Sequence, residues 1–292
     1  MQFPDSIAHL IQFDYPLAQH LWLGIGGPAR YYAEPTSRSE LIELVRWASQ
    51  EGVPVRVLGG GSNLIARESG VDGLVISMAA GPLCELSTDA NRLTAGGGAK
   101  LSHVVTHAVS AALAGLEHLL GIPGTVGGAL VSNAGAGGRD IGSVTEKIEI
   151  LSRDGSVKSI GSDEAQFSHR RSDLGGDVIL SATFRLEKSD LESLTKRMQK
   201  LWIIRNSSQL PGVSKIAMPF VDPGGVTTQR LLADIGLAGT REGGVSLSAE
   251  QPNLLVATET ATSNDCLRLI ERVRQQVLLQ TGIDLQSNLQ IW

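Results

Sequence analysis

Two stretches of the chain carry residue types that can hold an anion against bare backbone. The first is Gly59-Gly60-Gly61-Ser62-Asn63, which follows the alternating apolar residues Val53, Val55 and Val57. Three glycines after a strand let successive N–H groups turn toward one point without Cβ obstruction, and a diphosphate is the natural guest of such a nest. Ser62 and Asn63 add side-chain donors. Taken alone, this motif is equally a tight turn without a ligand. It lacks GxGxxG spacing at the start of a helix, which argues against a nicotinamide-binding Rossmann loop. The second stretch is Gly121-Ile122-Pro123-Gly124-Thr125-Val126-Gly127-Gly128, with Asn133-Ala134-Gly135 after it. A glycine misplaced in a helix costs about 1 kcal/mol relative to alanine. So many of them beside apolar residues make sense where backbone must approach a large flat cofactor closely; a loop-rich surface segment is the plainer alternative.

Other candidates are thinner. His103 and His107 stand at i, i+4 on a helix, but no glutamate of the HExxH kind and no third ligand accompany them, so they read as a solvated face. Glu117 and His118 have no identifiable partner. Cys84 and Cys266 lie far apart with no CxxC spacing, so neither a disulfide framework nor a zinc site follows. No GxSxG elbow or GxxxxGK[ST] loop is present.

These loops need elements to hold them. Ser37 and Glu40 form a capping-box pattern before the stripe Leu41, Leu44, Val45, Ala48, and Gly52 suits the C-terminal cap. Leu74 to Ile76 reads as a strand. A helix is expected from about Leu101 to Ala114, a hairpin from Ile148–Leu151 and Val157–Ile160 around Asp154-Gly155, and a long strand from Val178 to Leu186. Residues 190–205 are helical and charged, 206–225 loop-like, and helices follow at Leu231–Ile235 and Asp265–Gln280. The change of character near residue 188 marks a domain boundary. Hydrophobic residues make up 42% of the 292, enough for a core and against disorder. With 25 basic against 30 acidic residues, the net charge of −5 disfavours nucleic acid as partner. No signal-peptide pattern and no uninterrupted apolar run of about 18 residues occurs, so a cytoplasmic protein without a membrane span is expected.

Four ordered motifs resemble those of the UDP-N-acetylenolpyruvoylglucosamine reductase family, the UDP-N-acetylmuramate dehydrogenases of peptidoglycan precursor synthesis. Leu23-Gly24-Ile25-Gly26-Gly27-Pro28-Ala29 looks like the family's opening motif, Gly59 to Leu64 like its GGGSNLL loop, and Gly121 to Gly128 like its GIPGTVGG segment, with Asn133-Ala134-Gly135 following. The resemblance covers nearly the whole chain. It implies an α/β (α+β) protein: a two-lobed FAD-binding domain of the vanillyl-alcohol-oxidase-like type, residues 1–188 with lobes of about 1–83 and 84–188, then a smaller C-terminal α/β substrate domain, 189–292. FAD would sit between the lobes, with its diphosphate on Gly59, Gly60, Gly61, Ser62 and Asn63. Its ring would lie near Gly124 to Gly128, and Gly121, Ile122, Pro123, Gly124, Thr125, Gly127, Gly128, Asn133 and Ala134 would contribute to cofactor binding. In the family NADPH reduces the flavin, whose N5 passes hydride to the enolpyruvyl double bond of the UDP-sugar. An arginine and a glutamate stabilise the resulting charge and a serine supplies the proton. A nucleotide-sugar or other small molecule is the expected partner, and the chain itself a monomer or weak dimer.

The family's YRxS motif corresponds to His169-Arg170-Arg171-Ser172, which keeps the charge-stabilising Arg170 and replaces the tyrosine. Further on, the correspondence departs. Met218 stands at the serine position, and a thioether has no proton to give. Asn288 stands at the glutamate position. The substrate-facing Lys and His of GGAxVSxKHAN become Glu250 and Gln251, ahead of Asn253, and Val221 replaces a commonly basic residue. Exchanging Lys for Glu near a diphosphate turns attraction into repulsion. The motifs for FAD survive while the proton-handling positions change, which implies the family's reductase activity in impaired form. Ser214, Lys215 or His169, acting through water, remain as sources of a proton. A flavoprotein of the same fold acting on a different substrate, or a non-catalytic FAD-binding or regulatory paralogue, are the alternatives.

Overall fold

A computed structural model describes residues 3–206 and 215–292. The chain forms two compact units, each discontinuous in sequence. Among the described residues, the first draws on 3–13, 31–60 and 73–206, and the second on 14–30, 61–72 and 215–292.

Strands β1 (Pro28–Ala33), β2 (Val55–Leu58) and β3 (Val71–Ser77) share a four-stranded sheet, in which β2 and β3 pair in parallel with Val55 opposite Leu74 and Leu58 opposite Ser77. Helix α1 (Arg38–Gln50) joins β1 to β2. Its capping box is fully formed: the Ser37 side chain accepts from the Glu40 amide, and the Glu40 carboxylate accepts from the amides of Ser37 and Thr36. Leu41, Leu44, Val45, Trp47 and Ala48 face inward and join Tyr31, Leu74 and Ile76 in one core cluster. Gly52 closes the helix in the left-handed region, at φ +66.

An antiparallel five-stranded sheet follows in the same unit. Its strands are β4 (Leu86–Asp89), β5 (Arg92–Gly96), β6 (Thr145–Leu151), β7 (Val157–Gly161) and β8 (Val178–Arg185), in the order β7-β6-β8-β5-β4. The Asp154-Gly155 turn expected between β6 and β7 is present, with Gly155 at φ +78. Helices α2 (Leu101–Ser110) and α3 (Val126–Val131) contribute Leu101, Val104, Val105, Ala108, Val126 and Leu130 to the core that also holds Ile148, Ile179 and Phe184. Elsewhere on this sheet, exposed Arg92 and Arg185 both donate to Glu146, and their hydrogen bonds hold its carboxyl well below the usual value of 4.5, at about 2.

Helix α2 ends four residues before the expected Ala114. Ala112 turns into the left-handed region at φ +53, Leu113–Ala114 pair with Glu187–Lys188, and the Ala112 carbonyl accepts from the Ser189 amide. Long-range strand pairing overrides the helical pattern here. Helix α4 (Leu191–Asn206) closes this unit, and its Leu194 is fully buried.

In the second unit, β9 (Ile216–Ala217), β10 (Arg241–Glu242), β11 (Val245–Leu247) and β12 (Leu255–Ala257) form a sheet in the order β9-β12-β11-β10. Helix α5 (Thr228–Asp234) starts three residues earlier than the apolar pattern suggests, because the Thr227 hydroxyl caps it by accepting from the Arg230 amide. Helix α6 (Ser263–Thr281) has a second capping box, Thr262 with Asp265, and a left-handed Gly282 at its end. Cys266, Leu269, Val273 and Val277 of α6 pack with Phe220, Leu232, Val245 and Leu285. Among the described residues no helix is long and apolar enough to cross a membrane, and no group of three His, Cys, Asp or Glu is placed to hold a metal. His103 is exposed, and His107 Nε2 lies 2.9 Å from the Thr88 hydroxyl.

Candidate cofactor and substrate sites

Strand β2 ends at Leu58 and delivers Gly59 and Gly60 to the surface of the first unit. There they meet the other glycine-rich segment. A Cβ on Gly60 would lie 2.6 Å from the Cα of Gly124, and one on Gly59 would lie 2.8 Å from Thr125 Oγ1. At Gly60 the two loops therefore touch through main chain, where only glycine fits, while Gly59 faces the Thr125 side chain. Gly128 is also exposed, with nothing nearer to its missing Cβ than Thr125 Oγ1 at 3.6 Å.

The segment 124–128 is stitched to the loop before α2. Leu101 N–H donates to the Gly124 carbonyl, Val126 N–H to Ala99 and Gly127 N–H to Gly97, and Gly128 N–H reaches the Thr125 hydroxyl at 3.4 Å. These amides rigidify the segment, leaving Gly59, Gly60 and the face of Gly128 as its bare approach. The glycines at 96–98 serve packing. A Cβ at 96, 97 or 98 would collide with the carbonyl oxygens of Leu83, Ile179 and Met78 respectively.

Glu117 does have a partner, eighty residues away. Its buried carboxylate accepts from Arg197 Nη1 at 2.8 Å and from the Gly115 amide at 2.6 Å. Arg205, two helical turns further along α4, donates to the His118 carbonyl at 2.7 Å, and its aliphatic stem runs under Gly121. Burial, and the nearby charge of Arg170, hold Arg205 below the ordinary arginine range. Burial likewise pushes the His118 imidazole down. The sequence reading missed both arginines, although their spacing of eight puts them on one helix face. Ile122 is half-buried with its N–H on the Leu119 carbonyl, and Pro123 is exposed.

Asn133 and Ala134 face inward. Asn133 is 2% exposed, and its amide is fully engaged by Asp140, Ser168 and Gly142. Ala134 donates to Ala129 and accepts from Ile141. His169 and Arg170 are exposed, and Arg170 adopts φ +58. Ser172 is buried and its hydroxyl donates to the Val131 carbonyl.

In the second unit, a Cβ on Gly61 would collide with the His20 carbonyl, Ser62 is half-buried, and Asn63 Nδ2 donates to the Asn288 carbonyl at 2.6 Å. Residues 218–221 run antiparallel to 286–288: Asn288 N–H donates to the Pro219 carbonyl, Val221 N–H to Gln286, and Phe220 bridges to Ser287. This brings positions 218 and 288 together across 70 residues of sequence. Asn288 Nδ2 donates to the Met218 carbonyl at 3.1 Å and to Asn63 Oδ1 at 3.3 Å, while the Met218 side chain is exposed. Asn253 is buried and exchanges two hydrogen bonds with the Phe220 main chain. Glu250 is exposed, and Gln251 N–H donates to the Ser248 hydroxyl. Lys215 pairs with Glu259 at 2.7 Å and lies over Gly24 of the opening motif. Ser214 lies outside the described residues.

Residues 210–292 match the model of the UDP-N-acetylenolpyruvoylglucosamine reductase C-terminal domain, and residues 29–161 match an FAD binding domain. A UDP-N-acetylenolpyruvoylglucosamine reductase from Rhodopirellula baltica is 51% identical over 290 residues, covering 99% of this chain and 95% of the relative. The chain belongs to the UDP-N-acetylenolpyruvoylglucosamine reductase family. Another reductase of that name, from Pelobacter propionicus, is 37% identical over 97% of the chain and 95% of its own length. The crystal structure of the UDP-N-acetylenolpyruvylglucosamine reductase from Thermus caldophilus superposes with a TM-score of 0.82 at 30% identity, over 97% of this chain and 98% of that one. A solvent-stable cholesterol oxidase shares the fold alone, with a TM-score of 0.52 at 19% identity over 64% of this chain and 40% of its own. The fold is thus the mixed α/β, two-domain FAD-binding type of this reductase family. The touching glycine loops, bare of side chains at 59, 60 and 128, fit such a cofactor.

Proposed function

We propose that this protein binds FAD, takes electrons from NADPH and reduces UDP-N-acetylglucosamine enolpyruvate toward UDP-N-acetylmuramate, with proton delivery as its slow step. FAD, when bound, supplies the two-electron carrier between NADPH and the enolpyruvyl double bond. Residues 1–188 carry the cofactor and 189–292 the substrate. The exposed amides of Gly59 and Gly60 receive the diphosphate, with Thr125 and Gly128 beside them. Arg170 faces the negative charge that develops on the substrate; a guanidinium suits this role because it stays charged and can grip a carboxylate with two bonds.

One observation carries the slow step. Positions 218 and 288, which the resemblance assigns to the proton-donating serine and the charge-stabilising glutamate, lie side by side, but the side chains there are a thioether and a carboxamide. Neither can give a proton at neutral pH. Losing a positioned general acid removes about two to four powers of ten in rate. The proton then comes from water or through a neighbour such as Lys215 or His169. The exposed Glu250, at a position read as a lysine in the family pattern, favours a second reading: a less anionic acceptor than a UDP-sugar. Both readings place the protein in the cytoplasm as a monomer or weak dimer.

The test is the visible absorption spectrum of the purified protein before and after anaerobic NADPH, followed by reoxidation with the UDP-sugar and with a panel of uncharged enones. Bleaching by NADPH with slow recovery on the UDP-sugar supports the first reading. Fast recovery on an uncharged acceptor supports the second, and a protein that takes up no flavin refutes both.

A further inference from the structure

The Arg170 turn is held from one side by two residues that the sequence had suggested for ligand contact. Ser168 and Arg171 exchange main-chain hydrogen bonds, at 2.9 and 3.2 Å, leaving His169 and Arg170 at the tip. Arg170 occupies φ +58, where a turn ordinarily places glycine or asparagine. A bulky residue persists there only when its surroundings over-determine it. The surroundings are the end of α3. Asn133 Nδ2 donates to the Ser168 carbonyl at 2.8 Å, and the Ser172 hydroxyl donates to the Val131 carbonyl at 3.0 Å. One bond grips the turn just before its tip and the other just after it.

Asn133 is itself fixed. Its second Nδ2 proton goes to Asp140 Oδ2 at 3.1 Å, and its Oδ1 accepts from the Gly142 amide at 3.1 Å. Both of its N–H donors are spent inside the protein, and the side chain is 2% exposed. Ser172 is 9% exposed with its proton likewise spent. Among the described residues no carboxylate pairs with the exposed Arg170, and its charged neighbour is another guanidinium, Arg205. A cation with no ion-pair partner among the described residues, at the tip of a doubly anchored turn, is poised for an external anion.

We propose that Asn133 and Ser172 are positioning residues: they hold the 168–171 turn so that Arg170 presents its guanidinium to the carboxylate of the substrate. This rests on the reading of Arg170 given under Proposed function. It assigns to the protein's own scaffold two residues that sequence alone pointed at flavin and sugar.

The test uses the full-length FAD-loaded protein. Affinity for UDP-N-acetylglucosamine enolpyruvate is read from perturbation of the flavin absorbance in Arg170→Ala, Asn133→Ala, Ser172→Ala and the two double variants with Arg170→Ala. Amide exchange at Arg171 is read separately without ligand. The expected result is a 10- to 100-fold weaker affinity in each single variant, as for a misplaced binding group, with flavin content unchanged. Each double variant should be no weaker than Arg170→Ala alone, and Arg171 should exchange at least tenfold faster in Asn133→Ala and Ser172→Ala. Losses that add in the double variants, or unchanged exchange at Arg171, overturn the positioning role. If Arg170→Ala itself leaves affinity unchanged, the reading of Arg170 has failed and the positioning role falls with it, whatever the exchange rates. That outcome is told apart from a failure of positioning alone, in which Arg170→Ala weakens binding and Asn133→Ala does not. Should Asn133→Ala lose its flavin, Ser172→Ala, which removes a single hydroxyl, decides the matter in the same way.

Discussion

Replacing Gly60 with alanine puts one methyl group where two backbones already touch. Its Cβ would sit 2.6 Å from Gly124 Cα, well inside ordinary van der Waals contact, and the obstacle is main chain that no rotamer change can move. Gly60 does not have a positive φ, so the penalty is steric and not conformational. Overpacking of this kind costs about 1–3 kcal/mol. The strain must be relieved by parting the 59–60 and 124–125 loops, and a diphosphate held by both would weaken by about 10- to 100-fold, since about 1.4 kcal/mol is a factor of ten. Gly59→Ala should be milder, because its obstacle is the Thr125 hydroxyl, which can rotate away at the loss of its cap to Gly128, about 1 kcal/mol. Gly52→Ala serves as a control: it strains a left-handed cap at φ +66 by about 1 kcal/mol with nothing within 4 Å of the new methyl, and it should leave FAD affinity alone. Urea unfolding of the apoprotein gives the stability term, and flavin fluorescence on release gives the dissociation constant. Wild-type FAD affinity in Gly60→Ala, or equal loss in Gly52→Ala, would refute the assignment of these loops to the cofactor.

Arg170→Gly should raise the stability of the apoprotein by about 1 kcal/mol, because it relieves φ +58, while removing the substrate's effect on the flavin spectrum; thermal melts with and without ligand read both. Glu117→Ala should destabilise by about 1–3 kcal/mol in urea titration, because it leaves the Gly115 amide without its acceptor and Arg197 without its carboxylate. The Glu146 carboxyl is held at about 2 against an ordinary 4.5, so its contribution is complete above pH 4.5 and disappears as the pH falls toward 2. Glu146→Gln should flatten that part of the stability–pH curve, and 1 M salt should shrink the difference between the two proteins.

Much of this was legible in the sequence because it is local. Ser37 with Glu40, and Gly282 after an apolar stripe, announce helix ends from neighbouring residues, and the structure has both. The glycine loops at 59 and 121 point to a close approach of backbone to a cofactor; what the structure adds is that the loops themselves meet at Gly60 and Gly124. Composition could not separate them from the cluster at 96–98, whose glycines admit the carbonyls of Met78, Ile179 and Leu83. That distinction depends on which strand lies alongside. Polar residues beside the motifs were the least legible. Asn63, Asn133 and Asn253 look like ligand donors in one dimension, yet all three spend their amides on main chain brought from 33 to 225 residues away. Glu117 has no partner nearby in sequence because its arginine lies on α4. The early end of α2 was hidden for the same reason, since pairing with Glu187–Lys188 decides it.

The most direct measurement is anaerobic stopped-flow of the NADPH-reduced protein mixed with UDP-N-acetylglucosamine enolpyruvate, comparing wild type with the double variant Met218→Ser, Asn288→Glu. If proton delivery was what this chain gave up, flavin absorbance returns slowly in the wild type and at least a hundredfold faster once a hydroxyl and a carboxyl stand at those two positions. Rapid recovery in the wild type, with no gain in the variant, would contradict it.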